Sequence, residues 1–406
     1  FPVAIARAGK ALACGAEGET VGRLRALQAD AHRWLGHLDE AETAFGQALA
    51  GLPPGNQAFY DAASELVSVR VRLGRTDGLG DLVAVLAGTP PTSPGMESAR
   101  VIAWARAAVS LVFAGSDGLA ARLFERMDAV EGEAGRPSAK GRVHQARATR
   151  ALVRGDLSTY LEHTMASAAC FEESGDSRTA CVQRGNAGYA LGMLGAYAEA
   201  EAALRGSLVT AQRMGLESAA ASARQNLGLV LAHRGALQEA RAVEESSVES
   251  MKASGETILA ACSQAYLAEI LTLARNYGAA ERAALDALTT VGDRAHEVRA
   301  LASAALARVL LATQRLPEAL EASAVAETRL SANATFGGEA TVRLVRAEAL
   351  HASGRADAAT DAIRVARDRL LANAGKIASE EMRRSFLERV PTNARTLALA
   401  REWLDE

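Results

Sequence analysis

Glycine recurs in this chain at a fixed interval. Gly115, Gly155, Gly195 and Gly235 form one ladder and Gly95, Gly135, Gly175, Gly215 and Gly255 a second; both step by 40 residues, and the second falls halfway between the rungs of the first. Glycine adopts the left-handed conformation that ends a helix at the lowest cost, so a glycine every 20 residues marks off one helix and its turn after another. Inside the intervals apolar residues recur at three- and four-residue spacing, as in Leu227, Val230 and Leu231, then Leu237, Ala240 and Val243 beyond the turn. That spacing predicts amphipathic helices in antiparallel pairs. Extending the register in both directions predicts nine pairs, with turns at Gly36, Gly74, Gly115, Gly155, Gly195, Gly235, Arg275, Gln314 and Gly354. Each unit of such a chain buries its apolar face against its neighbours, so length alone says little about the number of globular domains.

Composition agrees with this and narrows the function. Hydrophobic residues make up 49% of the chain but aromatics only 4%, which favours helices packed closely through small side chains and leaves little room for strand. With 45 basic against 48 acidic residues and a net charge of -3, there is no positive field to collect phosphates, so nucleic acid is not an expected partner. No apolar run reaches the roughly 18 to 20 residues that span a bilayer, and the N-terminus lacks a basic-then-apolar leader pattern, so no membrane partner is expected. Cys14, Cys170, Cys181 and Cys262 have no metal-ligand spacing and read as small buried hydrophobes in a reducing cytoplasm. Lysine occurs only at positions 10, 140, 252 and 376, a bias that points to a GC-rich bacterial genome. The chain begins at Phe1 rather than Met and is expected to be a segment of a longer protein.

The repeat resembles the tetratricopeptide family, whose motif sets a small residue late in the first helix, glycine at the turn, a large residue two positions on and alanine five positions on. Gly188, Gly195, Tyr197 and Ala200 follow it, as do Gly228, Gly235, Leu237 and Ala240; Ala268, Tyr277 and Ala280 continue it, then Ala307, Leu316 and Ala319. The first pair carries Ala29, Gly36, Leu38, Ala41, Phe45 and Ala48 ahead of a closing Pro53. The resemblance implies an all-α, right-handed superhelical solenoid of about nine helix pairs over 1–375, with capping helices over 376–406. Pairs at 20–55 and 176–375 should be regular. Those at about 60–175 should not, because Val67 and Leu79 replace small residues, Asp117 takes a large apolar slot and Tyr160 stands where alanine belongs. A repeat longer than the family's usual ~34 residues is similar to the lengthened variety in kinesin light chains and in bacterial regulators that bind signalling peptides. The runs Asn186-Ala187-Gly188 and Asn226-Leu227-Gly228 resemble the Asn-Leu-small run of kinesin light chain. The tail from Ser379 through Met382, Phe386, Val390, Pro391 and Asn393 to Trp403 and Leu404 looks like the ending of tetratricopeptide segments in large bacterial serine/threonine protein kinases and ATPase regulators, notably those of myxobacteria. That likeness places any catalysis outside this segment.

Within the segment no enzyme chemistry is expected. The seven histidines form no i, i+4 pair with a nearby glutamate, and no phosphate-binding loop, dinucleotide loop or nucleophile elbow is present, so neither a metal nor a cofactor is expected. What remains is surface. The family resemblance implies that the first helix of each pair lines a concave groove, which selects Gly185, Asn186, Tyr189 and Met193, then Gln225, Asn226, Leu229 and His233, then Tyr266, Glu269 and Leu273, with Arg308, Glu348 and His351 beyond. Asn and Gln pair with peptide backbone groups, while Tyr and Met supply adaptable contact area. Arg23, Arg33, Arg72, Arg142 and Gln145 of the earlier pairs read as a solvated face ahead of an acidic-partner site. The expected function is a scaffold that holds a protein or peptide segment in its groove, as the partner-binding part of a signalling protein. The alternative is self-association, with solenoids stacking as a structural element.

Overall fold

The computed structural model describes residues 1–130, 135–293, 295–330 and 338–404, and among them there is no strand. Among the described residues a leading helix, α1 (Pro2–Ala13), precedes helices that follow one another two by two along the chain. The pairs are α2 (Glu19–Trp34) with α3 (Leu38–Gly51), α4 (Gln57–Arg72) with α5 (Leu79–Gly88), α6 (Glu97–Phe113) with α7 (Asp117–Ala129), α8 (Pro137–Val153) with α9 (Leu157–Glu173), and α10 (Ser177–Met193) with α11 (Tyr197–Arg213). They continue as α12 (Glu217–His233) with α13 (Leu237–Ala253), α14 (Thr257–Leu273) with α15 (Tyr277–Val291), α16 (His296–Ala312) with α17 (Leu316–Thr328), and α18 (Glu339–Ala352) with α19 (Ala356–Ala374). Two shorter helices, α20 (Glu380–Glu388) and α21 (Pro391–Trp403), complete the chain. The architecture is an all-α helical-repeat solenoid.

Every one of the nine turn residues has a positive φ, from 58° at Arg275 to 85° at Gly235. Glycine supplies that conformation without strain at seven of them; Arg275 and Gln314 adopt it at a cost, because the packing on both sides fixes the turn. Five residues beyond the turns, Ala200, Ala240, Ala280, Ala319 and Ala359 are all 0% exposed, the closest approach of the two helices in each pair. Gly188 shows how tight the approach is: a Cβ there would lie 2.7 Å from Leu204 Cγ. The second glycine ladder departs from expectation at Gly95, which sits in a one-turn 3-10 helix, Pro94–Met96, and lacks a positive φ.

Packing divides the chain into two compact units, Phe1–Arg150 with Ala169–Asp176, and Ala151–Ala168 with Ser177–Glu406. In the first, α5 is only ten residues long and the Pro90-Pro91 connection follows it. Large residues fill the space that small ones leave elsewhere: Val67, Leu79 and Trp104 are buried, Trp104 donates its indole N–H to the Leu86 carbonyl at 2.9 Å, and the Tyr60 hydroxyl donates to the Thr89 carbonyl at 2.9 Å. These two bonds satisfy carbonyls at the end of α5 that have no helical partner. In the second unit the core is serial. Ala200 and Leu204 pack with Leu227, Leu231 and Ile270 of the next helices, Ala268 and Ala280 with Val309 beyond them, and Leu344, Ala347, Ile363 and Ala366 with Leu399 and Ala400 of α21. The last contact covers the apolar face that a final pair would leave open.

Candidate functional site

The second unit contains a cavity of about 1330 Å³, counting the solvent at its mouth. Its wall is built from the first helices of successive pairs: Tyr189 and Met193 on α10, Asn226, Leu229 and His233 on α12, Tyr266 and Glu269 on α14. These are seven of the fourteen residues selected from sequence. They share one wall because positions three, four and seven apart on a helix face one way, and the 40-residue repeat stacks equivalent faces.

The other candidates lie elsewhere. Asn186 is half-buried and outside the cavity wall. Gln225 is 5% exposed, and its side chain hydrogen bonds to the Cys262 thiol behind the wall, alongside Tyr266. Arg308 stands outside the wall but bridges Glu269 at 2.8 Å. Leu273 is exposed. Glu348 and His351 are taken by the tail: Arg395 of α21 bridges Glu348 at 3.1 Å, and the Trp403 ring stacks on His351 at 4.3 Å between centroids.

The charge state of the wall follows from burial. Burial pushes the Tyr189 and Tyr197 hydroxyls up to about 12 and holds Tyr266 well above the ordinary phenol range, so all three are neutral donors. Burial also lowers His233, against the pull of Glu269, leaving a neutral imidazole 5.3 Å from the Tyr197 ring. The Tyr189 ring meets Tyr160 edge-on at 6.5 Å, so the residue that breaks the small-residue pattern in the fourth pair braces the cavity wall from behind. The side-chain amide of Asn226, midway along α12, has no hydrogen-bond partner among the described residues. Together these groups offer unpartnered amide chemistry, aromatic faces and neutral donors inside a largely apolar space.

Several cavity residues were not legible from the repeat. Tyr197 occupies the motif's large slot and reads as packing, yet it also faces the cavity. Glu339 on α18 is 5% exposed and is shared by Arg343 at 2.9 Å and Arg369 at 3.0 Å, all three in the wall; nothing in a 40-residue period marks that triad. Phe386, Val390, Asn393 and Thr396 of the tail form a further side. Among the described residues no cluster of His, Cys, Asp or Glu is placed to hold a metal, and no helix is long and apolar enough to cross a membrane.

No family model matches the sequence, and a search of curated proteins finds no match. Solved structures do resemble it. A Rap protein complexed with competence and sporulation factor aligns with a TM-score of 0.60 at 10% identity, covering 85% of this chain and 99% of that one. RapI in its apo form aligns with 0.54 at 10% identity over 85% and 97%, and NprR in complex with its cognate peptide NprX with 0.50 at 11% over 75% and 85%. Identities this low speak to fold. The chain has the fold of the tetratricopeptide-type helical-repeat proteins.

Proposed function

We propose that the second unit holds an extended protein or peptide segment in this cavity, and that the chain acts as a binding scaffold. The observation that carries the reading is Asn226: an amide without a protein partner, set between Tyr189 and Tyr266 on a wall of stacked helices. An amide donates and accepts at once and so matches a peptide group, while the neutral phenols and Met193 give contact area that tolerates varied side chains. Two of the similar structures, those of a Rap protein and NprR, are complexes with a factor and a cognate peptide, which supports the same use here. Affinity in the micromolar range, near -8 kcal/mol, is expected because an extended segment loses conformational freedom on docking. The likeness of the tail to the ends of kinase-linked segments makes a protein kinase or ATPase the machinery to which binding would be coupled.

The test is selection from a random dodecapeptide library on the immobilised chain, followed by titration of an enriched peptide. Asn226→Ala should weaken binding about five- to thirtyfold, the loss of one or two hydrogen bonds at about 1 kcal/mol each, with helicity and melting unchanged. Asn186→Ala, outside the wall, should bind as the parent does. Equal affinity of the Asn226→Ala chain would remove the cavity from the binding site.

A further inference from the structure

The tail does more than cover the last pair. It returns to the start of the second unit: Lys376 Nζ donates to the Arg154 carbonyl at 2.7 Å, 222 residues away, and the Tyr197 hydroxyl donates to the Arg389 carbonyl at 3.4 Å, 192 residues away. At the α10–α11 turn, α20 approaches so closely that a Cβ on Gly195 would lie 2.9 Å from the Ser385 carbonyl oxygen and 3.2 Å from Arg389 Cβ. Gly195 is thus bare twice over, for its φ of 77° and for the helix resting on it.

This docking lies across the path a ligand would take. A segment laid along the first helices meets α10, α12 and α14 in turn, but on α18 the groove positions Glu348 and His351 are covered by Arg395 and Trp403. Phe386 and Val390 stand in the same cavity as Asn226 and Tyr189. The docking is also imperfect. Ser385 Oγ and Trp403 Nε1 are buried without a hydrogen-bond partner, which weakens the tail's hold relative to a fully paired interface. The described face of α20 that reaches the core is narrow, with Ser385 and Phe386 its buried residues.

We propose that α20 is a displaceable stopper: its seat at the α10–α11 turn and a long peptide in the cavity exclude one another, so the scaffold is held closed by its own tail until a ligand replaces it. The proposal rests on the cavity being the peptide site. Because the stopper is tethered, it competes at high effective concentration, and releasing it should raise apparent affinity without adding a contact.

The experiment compares Gly195→Ala with Gly235→Ala in the full chain. Both place alanine in a left-handed turn, at φ of 77° and 85°, so both carry similar backbone strain. Only the first drives a methyl into the Ser385 carbonyl; nothing lies within 4 Å at Gly235. Hydrogen exchange of residues 379–390 and uptake of a fluorescent random dodecapeptide library are read for each, with melting as the check on folding. The expected result is loss of protection over 379–390 and at least threefold higher uptake in Gly195→Ala, against Gly235→Ala near the parent. Unchanged protection in Gly195→Ala overturns the stopper. So does lost protection with unchanged uptake, provided the parent binds the library. No uptake by any of the three chains overturns the peptide-site reading itself, and the stopper with it. Phe386→Ala, which loosens the same seat from the tail side, guards against a folding defect in the glycine variant and should behave in the same way.

Discussion

Gly228 was selected from the repeat as the small residue that lets α12 approach α13 near Ala240, and the approach is there, with the Ala240 carbonyl oxygen 3.4 Å from where a Cβ would stand. The space beside it is filled by something the motif does not specify, the carboxyl of Glu244, which is 0% exposed. Burial pushes that carboxyl well above its ordinary value of 4.5, only partly offset by the Ser263 hydroxyl, so Glu244 is held protonated in the folded chain. Its consequence has a definite sign. Below pH of about 4.5 both folded and unfolded chains keep the proton; above it the unfolded chain releases its proton while the folded one does not, so stability falls as pH rises toward the folded value. Glu244→Gln has no proton to lose. Its melting temperature should therefore gain on the parent steadily between pH 5 and 8, and a difference that stays constant with pH would show that Glu244 ionises freely in the fold.

At the scale of the helix and its turn, the sequence was most readable. A positive φ is a local requirement that glycine advertises, so seven turns announced themselves, and period alone placed the other two at Arg275 and Gln314, where φ is 58° and 59°. Those two are forced into a region L side chains avoid. Arg275→Gly and Gln314→Gly should each stabilise by about 0.5–1 kcal/mol in urea unfolding, relief of left-handed strain less the added freedom of the unfolded chain; destabilisation would mean that the side chain, and not the turn, is what the site needs. Gly95 went the other way. Its rung fits the period, but Pro90, Pro91 and Pro94 impose their own geometry on that connection and remove the need for a left-handed residue. Positions of the first helices that share a face in the repeat line one cavity, yet Gln225 is bonded to Cys262, because a single position on a helix can tip from wall to interior within one residue.

At the largest scale, among the described residues of the second unit, the core runs as a series of clusters from one helix pair to the next, so stability is passed from neighbour to neighbour. Ala240→Leu would overfill the closest contact of α12 with α13, at a cost of about 1–3 kcal/mol. The damage should stay local: hydrogen exchange should speed up across α12 to α14 and remain unchanged in α19 and α21, which have their own cluster around Ile363 and Leu399. A uniform rise over the second unit would argue for a shared core instead. This is also the scale at which sequence fell silent. The period reports what repeats, and the tail does not repeat, so its covering of the last pair was readable as a general need of such folds while its seat against Gly195 and Tyr197 was not. The Glu339, Arg343 and Arg369 triad escaped for the same reason.

The long-range seat of the tail has a temporal consequence. During synthesis Arg389 leaves the ribosome 192 residues after Tyr197, and Lys376 leaves it 222 residues after Arg154. At ordinary bacterial or eukaryotic elongation rates that gap lasts on the order of tens of seconds. The wall is complete only once α14 ends at Leu273, so on the proposed reading a nascent chain offers it unobstructed for the shorter interval until α20 emerges, still far longer than helix pairing takes, and a partner made nearby would meet it before the last helices arrive.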